Sequence, residues 1–164
     1  MRICLLIMLL SFATQGEVKF KELPKLGSGK YTFLFMDIYK ATLWGVKGSE
    51  LYSAPLRLEL EYQRDFDGED IAKQSVKEMN KAKVDPKIIK KFSGKMYEIF
   101  PNVKDGDKIV ADYTPGEGVV FYLNSKTKLG VFKDLDFSRH FLNIWLGENT
   151  SDPELRDKLL GDKQ

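Results

Sequence analysis

The sequence predicts an α+β domain in which helices cover one face of an antiparallel sheet. Three observations carry that expectation. The apolar period along the chain switches from two to about 3.6 and back again. The switches come in blocks, strands, then two helices, then strands, then two helices, which is segregation and not the βαβ alternation of a parallel sheet. The last two helices also carry explicit punctuation: Asp152-Pro153 opens the final one, and Gly147 and Gly161 close the two in turn.

Each element follows from its own pattern. Leu26-Gly-Ser-Gly29 reads as a flexible turn, and Lys30 to Trp44 as one long strand rich in β-branched and aromatic residues. Within that run Phe33, Phe35, Tyr39, Ala41 and Leu43 share one face. Leu34, Met36, Ile38, Thr42 and Trp44 share the other. Two apolar faces predict protein on both sides. Leu56 to Arg64 alternates more cleanly, with Leu56, Leu58, Leu60 and Tyr62 inward and Arg57, Glu59, Glu61 and Gln63 toward water.

The period then lengthens. From Asp67 to Ala82, residues Ile71, Ala72, Ser75, Val76 and Met79 form one helical stripe, with Asp67 or Gly68 as cap and Glu69 and Asp70 in the first turn. Asp85-Pro86 opens a second helix that runs to about Phe100 and turns Ile88, Ile89, Phe92, Met96 and Ile99 inward. Lys87, Lys90, Lys91 and Lys95 mark its solvated face. Lys108–Tyr113, Val119–Leu123 and Leu129–Phe132 then read as an antiparallel meander, joined by Thr114-Pro-Gly-Glu-Gly118 and Asn124-Ser-Lys126. The remainder is the helical tail.

Composition sets the outer limits. A chain of 164 residues with 43% apolar and 30% charged residues builds one packed domain. A formal charge of +2, from 26 basic against 24 acidic residues, gives no excess for a nucleic-acid backbone binder. At the N-terminus, Arg2, the apolar run from Ile3 to Phe12 and the small or polar Ala13-Thr-Gln-Gly16 have the layout of a signal peptide. Residues 1–16 are therefore expected to be removed, leaving one domain over 17–164 that is secreted or periplasmic. The apolar run is too short to span a bilayer, and no stable membrane insertion is expected after cleavage. Cys4, the sole cysteine, lies inside that segment. The mature chain is thus expected to have no disulfide, cysteine nucleophile or cysteine-held metal, and no cofactor.

Few residues suggest chemistry. His140 is the only histidine, has no partner at ligand or triad spacing, and reads as structural. Gly27-Ser-Gly29 precedes a strand and lacks any phosphate-loop pattern. The acids from Asp65 to Asp70 do not fall at calcium-loop positions and read as helix capping. The tyrosines are more telling. Tyr31, Tyr39, Tyr62, Tyr97 and Tyr113 put polar tips on segments that pack together. A sheet–helix cleft can use one or two of them, with Lys30, to orient an anionic or phenolic ligand.

Gly27-Ser-Gly-Lys30, Ile38-Tyr-Lys-Ala-Thr-Leu-Trp44, Tyr62-Gln-Arg-Asp-Phe-Asp-Gly-Glu-Asp-Ile71 and the tail from Phe141 to Gly161 together resemble the chalcone isomerase-like family, in its secreted bacterial branch more than its plant enzymes. The resemblance implies an open-faced β-sandwich, a large antiparallel sheet with a layer of helices making a ligand cleft. It also implies two activities to choose between. Plant members close a chalcone into a flavanone, with an arginine after the glycine turn, a tyrosine and an asparagine. Non-enzymatic members bind fatty acids, with the arginine and a strand tyrosine on the carboxylate.

In this chain the arginine position falls at Lys30, the enzymatic tyrosine near Asp67 and the asparagine near Gln74. The strand tyrosine is retained as Tyr39. Lysine loses the planar fork of arginine, and an aspartate cannot donate a phenolic proton. The expectation is therefore a non-catalytic protein holding a small amphipathic or anionic ligand such as a fatty acid, with Lys30, Tyr39, Gln74 and Tyr97 as ligand-binding residues. An intramolecular lyase of chalcone isomerase type and an interaction protein with a filled cleft are the alternatives.

Overall fold

The computed structural model describes residues 19–161; the segment read as a signal peptide lies outside the described residues. One antiparallel sheet runs in sequence order through β1 (Lys25–Phe33), β2 (Met36–Gly45), β3 (Leu56–Tyr62), β4 (Lys108–Thr114), β5 (Gly118–Leu123) and β6 (Thr127–Phe132). Helices α1 (Gly68–Lys81) and α2 (Pro86–Ile99) are inserted between β3 and β4. Helices α3 (Leu135–Leu146) and α4 (Pro153–Leu160) follow β6. The blocks are those of the sequence pattern, and β3 alternates as read, with Leu56, Leu58, Leu60 and Tyr62 buried.

Two expectations are corrected near the start. The run from Lys30 to Trp44 is not one strand but a hairpin. Phe33 pairs with Met36, which leaves Leu34 and Phe35 as a two-residue turn. Both have positive φ, 47° and 64°. Two-residue hairpin turns with that geometry ordinarily take Asn-Gly, because a bulky L-residue in the left-handed region costs roughly 1–2 kcal/mol. With no glycine or asparagine to mark it, the apolar pattern reads straight through the bend.

The second correction concerns Leu26-Gly-Ser-Gly29, which is strand β1 and not a turn. Its glycines serve close approach. A Cβ on Gly27 would fall inside the backbone carbonyls of Lys158 and Leu159. One on Gly29 would lie 2.7 Å from Leu155 Cδ1. Helix α4 thus rests directly on the β1 backbone, a contact that any side chain here would prevent.

The opposite end of the same sheet face is filled by aromatics. Helix α3 presents Phe137, Phe141 and Trp145, all buried, from one side. Phe121 on β5 meets Phe141, Phe100 and Phe132 edge-on, at centroid distances of 4.9, 5.4 and 5.7 Å. Phe132 stacks on Phe137 at 4.4 Å. These geometries are the favoured ones for the aromatic quadrupole. Helix α3 therefore packs on β5 and β6, and α4 on β1 and β2. Helix α1 packs chiefly against α2 and α3 and stands off the sheet.

Aspartates cap three helices, at Asp85 and Asp152 as the sequence signals and at Asp134 ahead of the stretch read as that helix. Asp85, Asp134 and Asp152 accept backbone N–H bonds from Lys87 (2.8 Å), Phe137 (2.9 Å) and Leu155 (3.0 Å). At α1 the capping expectation needs correction. Asp67 occupies the N-cap without a side-chain bond, and the Gly68 N–H donates instead to Asn102 Oδ1 at 2.9 Å. Asp65 accepts the amide of Asp105 at 3.0 Å. On the outer face of the sheet, Arg57 and Asp112 form a two-pronged pair at 2.6 and 2.7 Å, mostly shielded from water.

Two glycines separate packing from propensity. Gly27→Ala is expected to destabilise the protein by about 1–3 kcal/mol, because α4 must lift from β1. Gly94→Ala, in an open stretch of α2 with nothing within 4 Å of the added Cβ, is expected to stabilise it by about 0.5–1 kcal/mol. Urea denaturation of the two variants checks both signs. An unchanged midpoint for Gly27→Ala would contradict the close α4–β1 contact.

Candidate functional site

Because α1 stands off the sheet, a cavity of about 550 Å³ remains between it and the inner face of β1–β3. That is the size range of small-molecule pockets. Its deep wall is apolar, made by Leu58 and Leu60 of β3, Ile109 and Ala111 of β4, and the rings of Phe121 and Phe141. The exposed lining residues mark the mouth. They are Asp70, Lys73, Gln74, Lys77 and Lys81 on one side of α1, Ser151 before α4, and Phe33 at the end of β1. The space is open, not filled by side chains as the interaction-protein alternative requires.

Between mouth and floor lies a rung of tyrosines. Tyr31, Tyr39 and Tyr62 are direct register partners across β1, β2 and β3. Tyr31 stacks on Tyr39 at 5.2 Å, and Tyr39 meets Tyr62 edge-on at 6.0 Å. Cross-strand aromatic pairs of this kind stabilise a sheet while leaving their polar tips free. Tyr39 Oη accepts a bond from Trp145 Nε1 at 3.0 Å, which ties β2 to α3 and fixes the ring. Among the described residues, none of the three hydroxyls donates a hydrogen bond to a protein acceptor. Three uncharged donors therefore remain for a ligand.

Burial keeps those donors protonated. Desolvation raises the Tyr39 phenol far above its usual range, and does the same at Tyr62, where it acts alone. Tyr31 is raised chiefly by burial and then by the Glu78 carboxylate, with a partial lowering by Lys81 and a lesser raising by Asp152. In each case the phenolate, not the phenol, is what the apolar surroundings penalise.

Glu78 organises the mouth. It accepts from Gln74 Nε2 and Lys81 Nζ, both at 2.8 Å, and from Ser151 Oγ at 2.5 Å. Burial alone would raise its carboxyl, but the Lys81 and Ser151 bonds outweigh that and hold it below the usual carboxylate range. The clasp joins α1 to the segment that leads into α4.

The four residues expected at the site divide evenly. Tyr39 and Gln74 line the cavity. Lys30 and Tyr97 do not. Strand alternation that turns Tyr31 inward turns Lys30 outward, where its Nζ meets Asp37 at 2.6 Å. That pair, with Thr32, lowers the Asp37 carboxyl. Tyr97 is exposed on α2. Tyr31, Tyr62 and the α1 lysines also line it; the two tyrosines were among those noted for a cleft without being chosen as site residues, and the lysines were missed. The hairpin bend was the missing signal, because it alone brings Tyr31 opposite Tyr39. His140 and Asp67 also lie outside the lining, and no cluster of metal-binding residues occurs among the described residues.

Residues 9–161 match the family model described as chalcone isomerase-like. The chain belongs to the chalcone isomerase-like family. The match begins inside the segment read as a signal peptide. A protein of Haemophilus influenzae, described only as uncharacterized, is 24% identical over 143 residues, covering 87% of this chain and 70% of that protein. Among solved structures, the fatty-acid binding protein of Arabidopsis thaliana superposes with a TM-score of 0.65 at 14% identity, over 85% of this chain and 87% of that one. At that identity the likeness establishes the fold, an α+β open-faced sandwich as expected. Lys30, expected at the charged-anchor position, is turned away from the cleft and pairs with Asp37, and Asp67, expected at the enzymatic-tyrosine position, is the N-cap of α1.

The raised phenols set a pH limit. The folded state holds the protons of Tyr39 and Tyr62 more tightly than the unfolded chain does, where a tyrosine ionises near pH ~10. Stability from this source is fully present below that pH and is lost as pH rises above it. Ultraviolet titration is expected to leave these tyrosines silent until the protein unfolds in alkali. Ionisation of all the tyrosines near pH ~10 with the fold intact would contradict their burial.

Proposed function

We propose that this protein binds a small amphipathic ligand such as a fatty acid, and does so without chemistry. The observation that carries the reading is the cavity itself, an apolar floor with three uncharged hydroxyl donors at one level and a lysine-bearing rim above them. An acyl chain lies along Leu58, Leu60, Ala111 and Phe121. Its head group takes hydrogen bonds from Tyr31, Tyr39 and Tyr62, with Lys73 and Lys77 offering charge at the mouth. Desolvated phenols donate well to a carboxylate because no water competes. The similarity in fold to a plant fatty-acid binding protein supports the same reading. So do the positions of Lys30 and Asp67, which leave a flavanone-forming site without its charged anchor and its phenol. Export by way of residues 1–16 is part of the proposal.

Titration of delipidated protein with a fatty acid, followed by the fluorescence of Trp145 in the cavity wall, tests it. Saturable binding is expected. Tyr39→Phe should weaken it by about tenfold, the equivalent of one hydrogen bond to a charged group. Ala111→Phe should abolish it by filling the floor while circular dichroism stays native. Lys30→Ala should bind as wild type does. Loss of affinity in Lys30→Ala with none in Tyr39→Phe would overturn this assignment of the head-group site.

A further inference from the structure

We propose that the β1–β2 hairpin tip is a membrane-docking finger that seats the cavity mouth against a lipid bilayer. Four consecutive apolar side chains stand out in water there: Phe33 at 53%, Leu34 at 69%, Phe35 at 102% and Met36 at 41% exposure. Scattered exposed hydrophobics are ordinary, but a contiguous cluster at a protruding tip marks a surface that meets an apolar medium.

The backbone makes the same point independently. Leu34 and Phe35 both hold positive φ in a turn that Asn-Gly would form without strain. Strain of this kind persists where the side chains, and not the turn, are what is needed. Both are large and apolar, and neither is used in the core.

Position and charge identify the occupant. Phe33 is at once part of the tip and part of the cavity lining, so the finger is the rim of the mouth. Behind the tip stand two exposed cations with no carboxylate partner among the described residues: Lys40, and Arg64, which reaches only the Met36 sulfur. Lys73 and Lys77 on the rim are likewise without an ion pair. The acids nearby are largely engaged. Asp37 is held by Lys30 and Thr32, Glu61 by Lys108 and Glu78 by Lys81, which leaves Asp70 and the α4 N-cap Asp152 as the lining's negative charges, against the two rim lysines. An apolar, aromatic tip backed by free cations suits the interface of a bilayer containing anionic lipid, where rings sit among the head groups and long cationic side chains reach the phosphates. The attachment is peripheral, since no helix among the described residues is long and apolar enough to cross a membrane. Docking in this pose opens the cavity toward the lipid phase. Its use for taking up or giving up an acyl ligand rests on the function proposed above, whereas docking itself does not.

The double variant Leu34→Asn/Phe35→Gly isolates the finger, because it supplies the turn residues the backbone prefers while removing the apolar tip. Full-length wild type and variant are compared by co-sedimentation with vesicles of phosphatidylcholine and phosphatidylglycerol in equal parts. The apolar residues 3–12 are common to both. Wild type is expected to bind, and the variant to lose vesicle partitioning by about tenfold or more. Its melting temperature should rise by roughly 2–4 °C, and its affinity for fatty acid in vesicle-free solution should be unchanged. Equal partitioning of the two proteins, or no binding by wild type, overturns the inference. So does a wild-type dimer that the variant dissolves without any vesicle binding, which would assign the tip to a second copy. Tip-dependent vesicle binding by a protein that takes up no fatty acid would sustain docking and remove the ligand reading alone.

Discussion

The structure depends on how helix α1 is supported. It leans on α2 and α3 and not on the sheet, because the inner face of the sheet is already claimed at its two ends. Phe137 and Phe141 of α3 lock into Phe121 and Phe132 at one end. At the other, α4 rests on the bare backbone of Gly27 and Gly29. Strands β1 to β3 between these anchors face α1 across a gap. A cavity kept open in this way is a standing cost, since its lining forgoes the contacts a closed core would make. The fold bears that cost through the aromatic packing of α3 and the direct α4–β1 contact.

Within the gap, the arrangement of polarity is what the proposed function rests on. A rung of three phenols crosses the sheet at one level, and the Trp145–Tyr39 bond holds its centre in place from α3. The floor below the rung has no polar side chain in its Leu58, Leu60, Ala111 and Phe121 wall, and the rim above it carries α1 lysines and the Glu78 clasp. A ligand with one polar end and one apolar end matches that gradient. Uncharged donors suit such a site, because a lysine or arginine there would have to be desolvated each time a ligand entered.

Most of the architecture was legible in the sequence. Period changes located every helix and strands β3 to β6, and Asp-Pro and glycine signals marked the ends of α2 and α4. The site was half legible. Tyr39 and Gln74 do line the cavity, and Tyr31 and Tyr62 stood among the tyrosines noted for a cleft without being chosen, but Lys30 was assigned to the cleft and faces away from it. The Leu34–Phe35 bend has none of the residues that announce a turn, so β1 and β2 read as a single strand and the pairing of Tyr31 with Tyr39 was not visible. Alternation was not at fault: Phe33 and Tyr39 share a face at period two, which already puts Tyr31 on that face and Lys30 on the other, and it was the family resemblance that placed Lys30 in the cleft. The glycines of β1 misled as well. Glycine signals a turn by its freedom in φ, yet here it serves by having no side chain, and the helix it accommodates lies about 130 residues further along the chain.

The central claim is that the gap beneath α1 is a lipid site. Native mass spectrometry of the protein purified from its own host, with extraction and identification of whatever co-purifies, tests it most directly. The account predicts a stoichiometric adduct that releases an amphiphile with an acyl or comparable apolar chain. A protein that emerges without adduct, and gains none when offered fatty acids before measurement, would contradict it.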